Sequence, residues 1–180
     1  MPHDHHGLRH DHLGLTVTDG PERTPDGRHI VVDGRRWRAS DPSIPDVLRS
    51  ELVGELMAAR RAVRTDGDSA RHRVHDAKVA LGERGHPWWE PADDDALRPR
   101  IVATLRTVLR HRDGATCCPS DIARIVGGQE WRDRMDLVRN VAFELADADQ
   151  VTLTQKGNAV GRDARGPLRI GPGPRFDDER

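Results

Sequence analysis

The sequence predicts a mainly helical protein with small β elements, an α+β fold, and three observations support this expectation. The longest segments repeat apolar residues at the helical steps of three and four. The strand-like segments are short and are bounded by turn dipeptides such as Asp-Gly and Lys-Gly. Charged residues make up 33% of the 180 residues and hydrophobic residues 35%, a balance that suits small helical units with solvated faces better than one large core.

Residues 28–93 predict a β-hairpin followed by an antiparallel helical pair. Segments 29–32 and 35–38 flank Asp33-Gly34, a dipeptide that favours a type I′ turn. Helices are expected at about 46–65 and 69–83, each with one apolar stripe, and facing stripes predict an antiparallel pair. The tryptophans Trp37, Trp88 and Trp89 are expected to cover the open end of this pair.

Residues 94–170 predict a winged helix-turn-helix domain. Helices are expected at 97–112, from 119 to the turn at Gly127-Gly128, and from about 130 to 148. A short strand at 115–117, a strand at 151–154, a turn at Lys156-Gly157 and an edge strand at 165–170 complete the order of elements. In a helix-turn-helix, the second helix enters the major groove of DNA, so this order predicts a binding fold.

The two ends of the chain, 1–27 and 171–180, are expected to be disordered, because they lack a sustained apolar period. Histidines stand at His3, His5, His6, His10 and His12. A His-rich tract can hold a transition metal weakly, but the irregular spacing favours a solvated tail over a closed metal site.

The composition predicts a cytoplasmic protein without a membrane segment. The first residues are polar and lack the apolar region of a secretory leader, and no stretch approaches the ~20 apolar residues that span a bilayer. Cys117 and Cys118 are the only cysteines and are adjacent, which argues against a disulfide framework. We expect Cys118 to pack beneath a helix; a zinc site with His111 as a further ligand is the alternative.

Four motifs resemble a family of bacterial winged-helix domains of unknown function and follow its order across nearly all of 97–170. They are Cys118-Pro-Ser-Asp-Ile-Ala123, Trp131-Arg132, Thr154-Gln-Lys-Gly157 and Arg165-Gly-Pro-Leu-Arg169. The resemblance implies a fold and no reaction. The segments from Asp33 to Glu90 resemble an extension found with this domain in actinobacterial proteins, some labelled as Tol-type biopolymer transporters, a role for which the sequence offers neither leader nor membrane span.

Duplex DNA is the expected partner of the C-terminal part. Outward positions of the helix at about 130–148 offer Arg132, Arg134, Arg139 and Asn140, side chains that contact phosphates, guanine edges or adenine. Residues 97–170 hold 13 basic and 9 acidic residues, whereas residues 1–96 hold 14 and 18. A basic C-terminal module is compatible with nucleic acid, and we expect a binding module of the kind found in regulators.

The expected wing adds two cations to this surface. Lys156 lies at its tip and Arg162 beyond it, where basic residues contact phosphate or the minor groove. The alternative for the tip is a turn that needs Gly157 for its backbone and polar residues for solubility.

Acidic residues on the same helix leave a second function open. Asp133, Asp136 and Glu144 would repel the DNA backbone, and Asp136 could instead form ion pairs with Arg132 and Arg139. The alternative function is a protein-interaction or assembly module that docks a partner or a second copy of the chain without binding DNA.

An enzyme is not expected. The sequence contains no phosphate loop, no dinucleotide-binding glycine pattern and no G-x-S-x-G elbow. His72 and Asp76 stand four residues apart but lack the H-E-x-x-H pattern of zinc proteases, and a solvated helix face explains them. We therefore expect no catalytic residue, no cofactor and no metal.

Overall fold

The structure, a computed structural model, describes residues 20–176 and is an α+β fold dominated by helices, which confirms the predicted class. The helices are α1 (Asp46–Asp66), α2 (Arg71–Ala80), α3 (Asp94–His111), α4 (Pro119–Gly127) and α5 (Met135–Asp147), with 3₁₀ segments at Gly67–Ala70 and Gly128–Arg134. The strands are β1 (Glu22–Arg23), β2 (His29–Val32), β3 (Arg35–Arg38), β4 (Val151–Gln155), β5 (Asn158–Ala159) and β6 (Arg169–Pro172). They form two antiparallel sheets, ordered β1-β2-β3 and β5-β4-β6.

The N-terminal hairpin is present with the predicted register. Asp33 (φ 50°) and Gly34 (φ 72°) both adopt the left-handed conformation that a type I′ turn requires, and Val32 pairs with Arg35. Residues 20–27 were expected to be disordered, but β1 pairs with β2, because the turn between them is held by local hydrogen bonds from Thr24 to Asp26 and to the carbonyl of His29. The five N-terminal histidines lie outside the described residues.

The second predicted helix, 69–83, is shorter in the structure. It begins as a 3₁₀ segment, continues as α2 and ends at Ala80, because Gly82 adopts φ 79° and stops the helix. Glu55 on α1 is only 2% exposed, and Arg73 of α2 neutralises it across 2.8 Å. The two helices are therefore joined by a partly buried ion pair as well as by apolar residues. Asp76 of α2, predicted on a solvated face, is instead buried and accepts a hydrogen bond from Arg110 at 2.7 Å.

Helix α3 is the centre of the hydrophobic core. It starts at Asp94, three residues before the predicted position, because the side chain of Asp93 accepts a hydrogen bond from the backbone N–H of Ala96 at 2.8 Å and caps the helix. Its buried row includes Ile101, Leu105 and Val108. Helices α1 and α2 pack against it, and so do α4 and α5, so one core joins the N-terminal and C-terminal elements.

Trp88 and Trp89 pack against the protein, whereas Trp37 is exposed. The indole N–H of Trp88 donates to the carbonyl of Ala39 at 3.0 Å, and Trp89 packs edge-on against Trp88 with ring centroids 5.1 Å apart. This half-buried pair attaches the segment after α2 to the end of the N-terminal hairpin. Trp37 was also expected to cover the helical pair, yet 45% of its surface is exposed.

The long helix predicted at about 130–148 is interrupted. Residues Gly128–Arg134 form a 3₁₀ segment with non-helical angles at Glu130, and α5 begins only at Met135. Gly128 has φ 51°, and a Cβ on it would lie 2.8 Å from the side chain of Ser43. This close approach turns the chain sharply after α4, and 3₁₀ geometry is common at such helix ends.

The C-terminal sheet follows the predicted order with two differences. The last strand is β6, at 169–172, rather than 165–170, because the preceding stretch is bent by Gly166 at φ 91° and lacks an N–H at Pro167. Residues 171 and 172, expected in a disordered tail, belong to this strand, and residues 177–180 lie outside the described residues. The predicted strand at 115–117 is reduced to one bridge between Cys117 and Ile170.

The cysteine that packs in the core is Cys117, not Cys118 as predicted. Cys117 is fully buried, whereas Cys118, expected to pack beneath a helix, is half-buried at the start of α4. Cys117 is the residue whose backbone pairs with β6, through hydrogen bonds of 2.8 and 2.9 Å with Ile170, and this pairing carries its side chain into the core.

Candidate nucleic-acid interface

A stacked cluster stands where the sequence predicted the start of the DNA-contacting helix. The guanidinium carbon of Arg132 lies 4.5 Å from the centroid of the Trp131 ring, and that of Arg124, from α4, lies 4.9 Å from it. We call these three residues the Trp131 cluster. Both arginines are exposed, and an arginine stacked on an aromatic ring is held in place while its N–H groups stay available to solvent or a ligand.

Arg124 was missed by the sequence analysis. It is the one basic residue of the α4 sequence and stands seven positions before Trp131, so periodicity within a single helix could not connect the two. The sharp turn at Gly127-Gly128 brings them together.

Arg134 is half-buried and lies against the protein. Its Nη1 is 4.0 Å from Oδ1 of Asp94, and a Cβ on Gly127 would lie 2.8 Å from its Cγ. The aliphatic part of Arg134 therefore covers Gly127, and its guanidinium faces the carboxylate of Asp94 in the first turn of α3.

Arg139 shapes the loop before β6. Its two guanidinium nitrogens donate to the carbonyls of Gly166 (3.2 Å) and Ala164 (2.8 Å). These hydrogen bonds engage two of the nitrogens that the predicted contact with DNA would use, and that contact stays a prediction.

Arg162 is similarly occupied. It forms an ion pair with Asp147 at the end of α5, and its guanidinium carbon lies 5.7 Å from the centroid of the Phe143 ring. Both contacts attach the loop after β5 to α5.

Lys156 and Asn140 are exposed as predicted. Lys156 adopts φ 51° in the turn between β4 and β5, and Gly157 follows at φ 84°, so the two-residue turn projects from the sheet. We call residues Lys156 and Gly157 the hairpin tip. Because its φ is positive, Lys156 stands where glycine or asparagine is usual.

The outward row of α5 is mainly acidic. Asp136, Asn140 and Glu144 follow one another at helical steps of four and are all exposed. Glu144 accepts a hydrogen bond from Arg98 at 2.6 Å, and Asp136 lies in the first turn of α5, where the helix dipole favours a negative charge. Arg132 and Arg139 do not make the predicted ion pairs with Asp136. Instead, Arg132 contacts the Trp131 ring and Arg139 donates to the loop carbonyls.

Arg112 connects two helices of the framework through ion pairs. Arg112 donates two hydrogen bonds to Glu51 on α1, at 2.8 and 3.0 Å, and one to Asp121 on α4, at 2.9 Å. Glu51 is the main cause that raises the pKa of Arg112 above its ordinary value, against the opposing effect of burial. Arg112 thus ties α1 to α4.

Within residues 20–176, no group of three or more His, Cys, Asp and Glu side chains could hold a metal ion. Burial raises the pKa of the Cys117 thiol to about 12, so this sulfur is a poor ligand and a poor nucleophile at neutral pH. Among the same residues, none of the helices combines the length and apolar character needed to cross a membrane.

Residues 96–172 match the model of a family described as "Protein of unknown function (DUF3253)". The match runs from the first turn of α3 to the end of β6 and includes the Trp131 cluster and the hairpin tip, while the N-terminal sheet, α1 and α2 lie outside it. No curated protein matches the chain.

Proposed function

We propose that residues 94–172 form a winged helix that binds duplex DNA through the Trp131 cluster and the hairpin tip. The order of α3, α4, α5 and the β4–β5 hairpin, with β6 returning beside β4, supports this interpretation. Cys117, in the segment between α3 and α4, also pairs with β6 through a single β-bridge. This bridge connects that segment to the C-terminal sheet.

The observation that carries the proposal is the Trp131 cluster. Arg124 and Arg132 are both exposed, and both guanidinium groups lie within 5 Å of the centroid of one indole ring. An arginine that already stacks on a ring has less conformational freedom to lose on binding than a mobile one. Its guanidinium can still donate hydrogen bonds to phosphate oxygens. Lys156 supplies a further cation on the hairpin tip.

The mode of binding follows from the charges on α5. Its acidic outward row would meet phosphates unfavourably, and Arg139 is used by the loop carbonyls. Binding therefore rests on phosphate contacts rather than on base recognition by α5, and its affinity is governed by counterion release with little dependence on sequence.

A double charge reversal tests this surface. Arg132→Glu combined with Lys156→Glu should abolish binding of the full chain to duplex DNA at a concentration that saturates the parent. The matched control is Arg61→Glu combined with Arg64→Glu, which makes the same charge change at exposed positions of α1 and should leave most of the binding intact. Equal binding by the parent and the first variant would refute the proposed surface.

The acidic row of α5 favours a second candidate, a protein-interaction or assembly module without DNA binding. In this case Asp136 and Glu144 would face a basic partner or a second copy of the chain. Asp136→Arg should then weaken a self-association or a co-purification that resists salt, whereas under the DNA proposal the same change should strengthen DNA binding. Light scattering and DNA titration of this one variant distinguish the two candidates.

A further inference from the structure

A groove in the N-terminal elements collects four of the five large hydrophobic residues that are exposed in the described part of the chain. Within residues 20–176, the exposed large hydrophobic residues are Val32, Trp37, Val47, Val53 and Met57. All of these except Val47 line one groove between β2, β3, α1 and α2, with a volume of about 720 Å³. Single exposed apolar residues are ordinary, but their collection in one concavity marks an interaction site.

The groove has a rigid floor. Leu56 and Leu81 at its base are 3% and 0% exposed and belong to the core that α3 organises. Val53 and Met57 form its helical wall and stand one position beyond the buried residues Leu52 and Leu56 on α1. Helix α1 therefore has two adjacent apolar rows, of which only one faces the core.

The rim of the groove is basic. Its lining includes the cations Arg35, Arg38, Arg60, Lys78 and Arg84, against the two anions Asp33 and Glu83. Glu83 is already engaged, with Lys78 at 3.3 Å and with the hydroxyl of Ser40 at 3.0 Å. The whole chain has a net charge of −1, so this excess of cations is a local property of the groove.

Trp37 combines both features of the groove. Its ring is flanked by the guanidinium carbon of Arg35 at 5.0 Å and by Nζ of Lys78 at 5.7 Å, yet 45% of its surface remains exposed. An exposed tryptophan beside arginine is the pair of residue types most enriched where a few contacts dominate binding.

We propose that this groove docks an acidic amphipathic segment of a partner protein, with apolar side chains on Val53, Met57 and Trp37 and carboxylates toward the arginines of the rim. A nucleic acid would satisfy the cations and leave the apolar wall facing phosphate and water. Two copies of the chain meeting groove to groove would bring like charges together, which disfavours a symmetric pair. The apolar side of an acidic amphipathic segment would cover the apolar wall of the groove, and its carboxylates would pair with the cations of the rim.

A designed peptide provides the probe. It is short, labelled with fluorescein, and carries leucines at helical steps of three and four with glutamates between them. The controls are a peptide of the same composition whose leucines are scattered around the helix, and one in which lysines replace the glutamates. The full chain should bind the first peptide about tenfold more tightly than either control.

Matched variants place the binding in the groove. Met57→Glu should weaken binding of the leucine–glutamate peptide about tenfold, whereas Val47→Glu, on the same helix but outside the groove and 75% exposed, should change it by less than about twofold. In the same way, Arg60→Glu, at the rim, should weaken binding, and Arg64→Glu, an exposed position of α1 outside the groove, should not. Circular dichroism of each variant establishes that the fold is retained.

Four results would overturn the proposal. Equal affinity for the three peptides, or equal losses in Met57→Glu and Val47→Glu, would show that the groove recognises no such segment. A dimer that Met57→Glu dissociates and Val47→Glu does not would assign the groove to a second copy. Displacement of the probe by a synthetic peptide of residues 1–19 would assign it to the chain itself.

Discussion

Arg100→Met removes the cation of a buried ion pair that joins the N-terminal and C-terminal elements of the protein. Arg100 and Asp41 have side chains that are 10% and 6% exposed, and Nη2 of Arg100 lies 2.8 Å from Oδ2 of Asp41. The guanidinium also lies 3.4 Å from the carbonyls of Ala80 and Ile125, so one side chain reaches three segments from α3.

The expected loss in free energy of unfolding is about 3–5 kcal/mol, the range for leaving one charge of a buried pair without its partner. Asp41 would keep the hydrogen bonds from the backbone N–H and hydroxyl of Ser43, at 2.9 and 2.7 Å, which places the loss toward the lower end. Arg98→Met is the matched control: the same substitution on the same helix breaks a pair with Glu144 whose side chains are 37% and 48% exposed, and should lose less than about 1 kcal/mol.

Urea unfolding of the full chain, followed by far-ultraviolet circular dichroism, measures both losses. The double variant Asp41→Asn, Arg100→Met should recover much of the stability that Arg100→Met loses, because no buried charge is then left without a partner. Similar losses for Arg100→Met and Arg98→Met, or a double variant less stable than Arg100→Met alone, would refute the reasoning.

Further predictions concern the framework around the candidate interface. Iodoacetamide at pH 8 should label Cys118 in the native protein while Cys117 stays unmodified, since burial raises the pKa of Cys117 to about 12, and equal labelling by mass spectrometry would contradict this. The contribution of Cys117 to folding stability should fall as the pH rises from its ordinary pKa of 9.0 to about 12, because the unfolded thiol ionises first, and urea unfolding of the parent and of Cys117→Val across this range measures it. Arg139→Gln should lower the free energy of unfolding by about 1–2 kcal/mol through its two loop hydrogen bonds, and an unchanged melting curve would show that they do not hold the loop. A fragment of residues 94–180 should lack a cooperative thermal transition, because it loses α1 and α2. It also loses the carboxylates of Asp41 and Glu51, which neutralise Arg100 and Arg112. A sharp transition near that of the full chain would contradict the shared core.

Local signals in the sequence predicted most of the elements. Asp33-Gly34 placed the first hairpin because only a few dipeptides suit a type I′ turn, and the apolar rows of α1 and α3 placed these helices within a few residues. The start of α3 was placed three residues late because the capping role of Asp93 depends on a hydrogen bond that an acidic run does not reveal.

The candidate site was harder to predict, because its residues depend on contacts distant in sequence. Arg139 and Arg162 have the type and spacing of DNA-contacting residues, but the loop after β5 and the end of α5 occupy them. Arg124 meets Trp131 only because Gly128 approaches Ser43 and turns the chain. Pattern alone does not distinguish a cation with a structural partner from one that faces solvent.

In the proposed function, residues 94–172 bind duplex DNA through phosphate contacts. Fluorescence anisotropy of labelled random duplex DNA, titrated with the full chain across a salt series, tests it most directly. With Arg124, Arg132 and Lys156 each neutralising one phosphate, the logarithm of the binding constant should fall with the logarithm of the salt concentration with a slope of about −2.7. An absence of binding at low salt, or binding that does not weaken as salt is added, would contradict the claim.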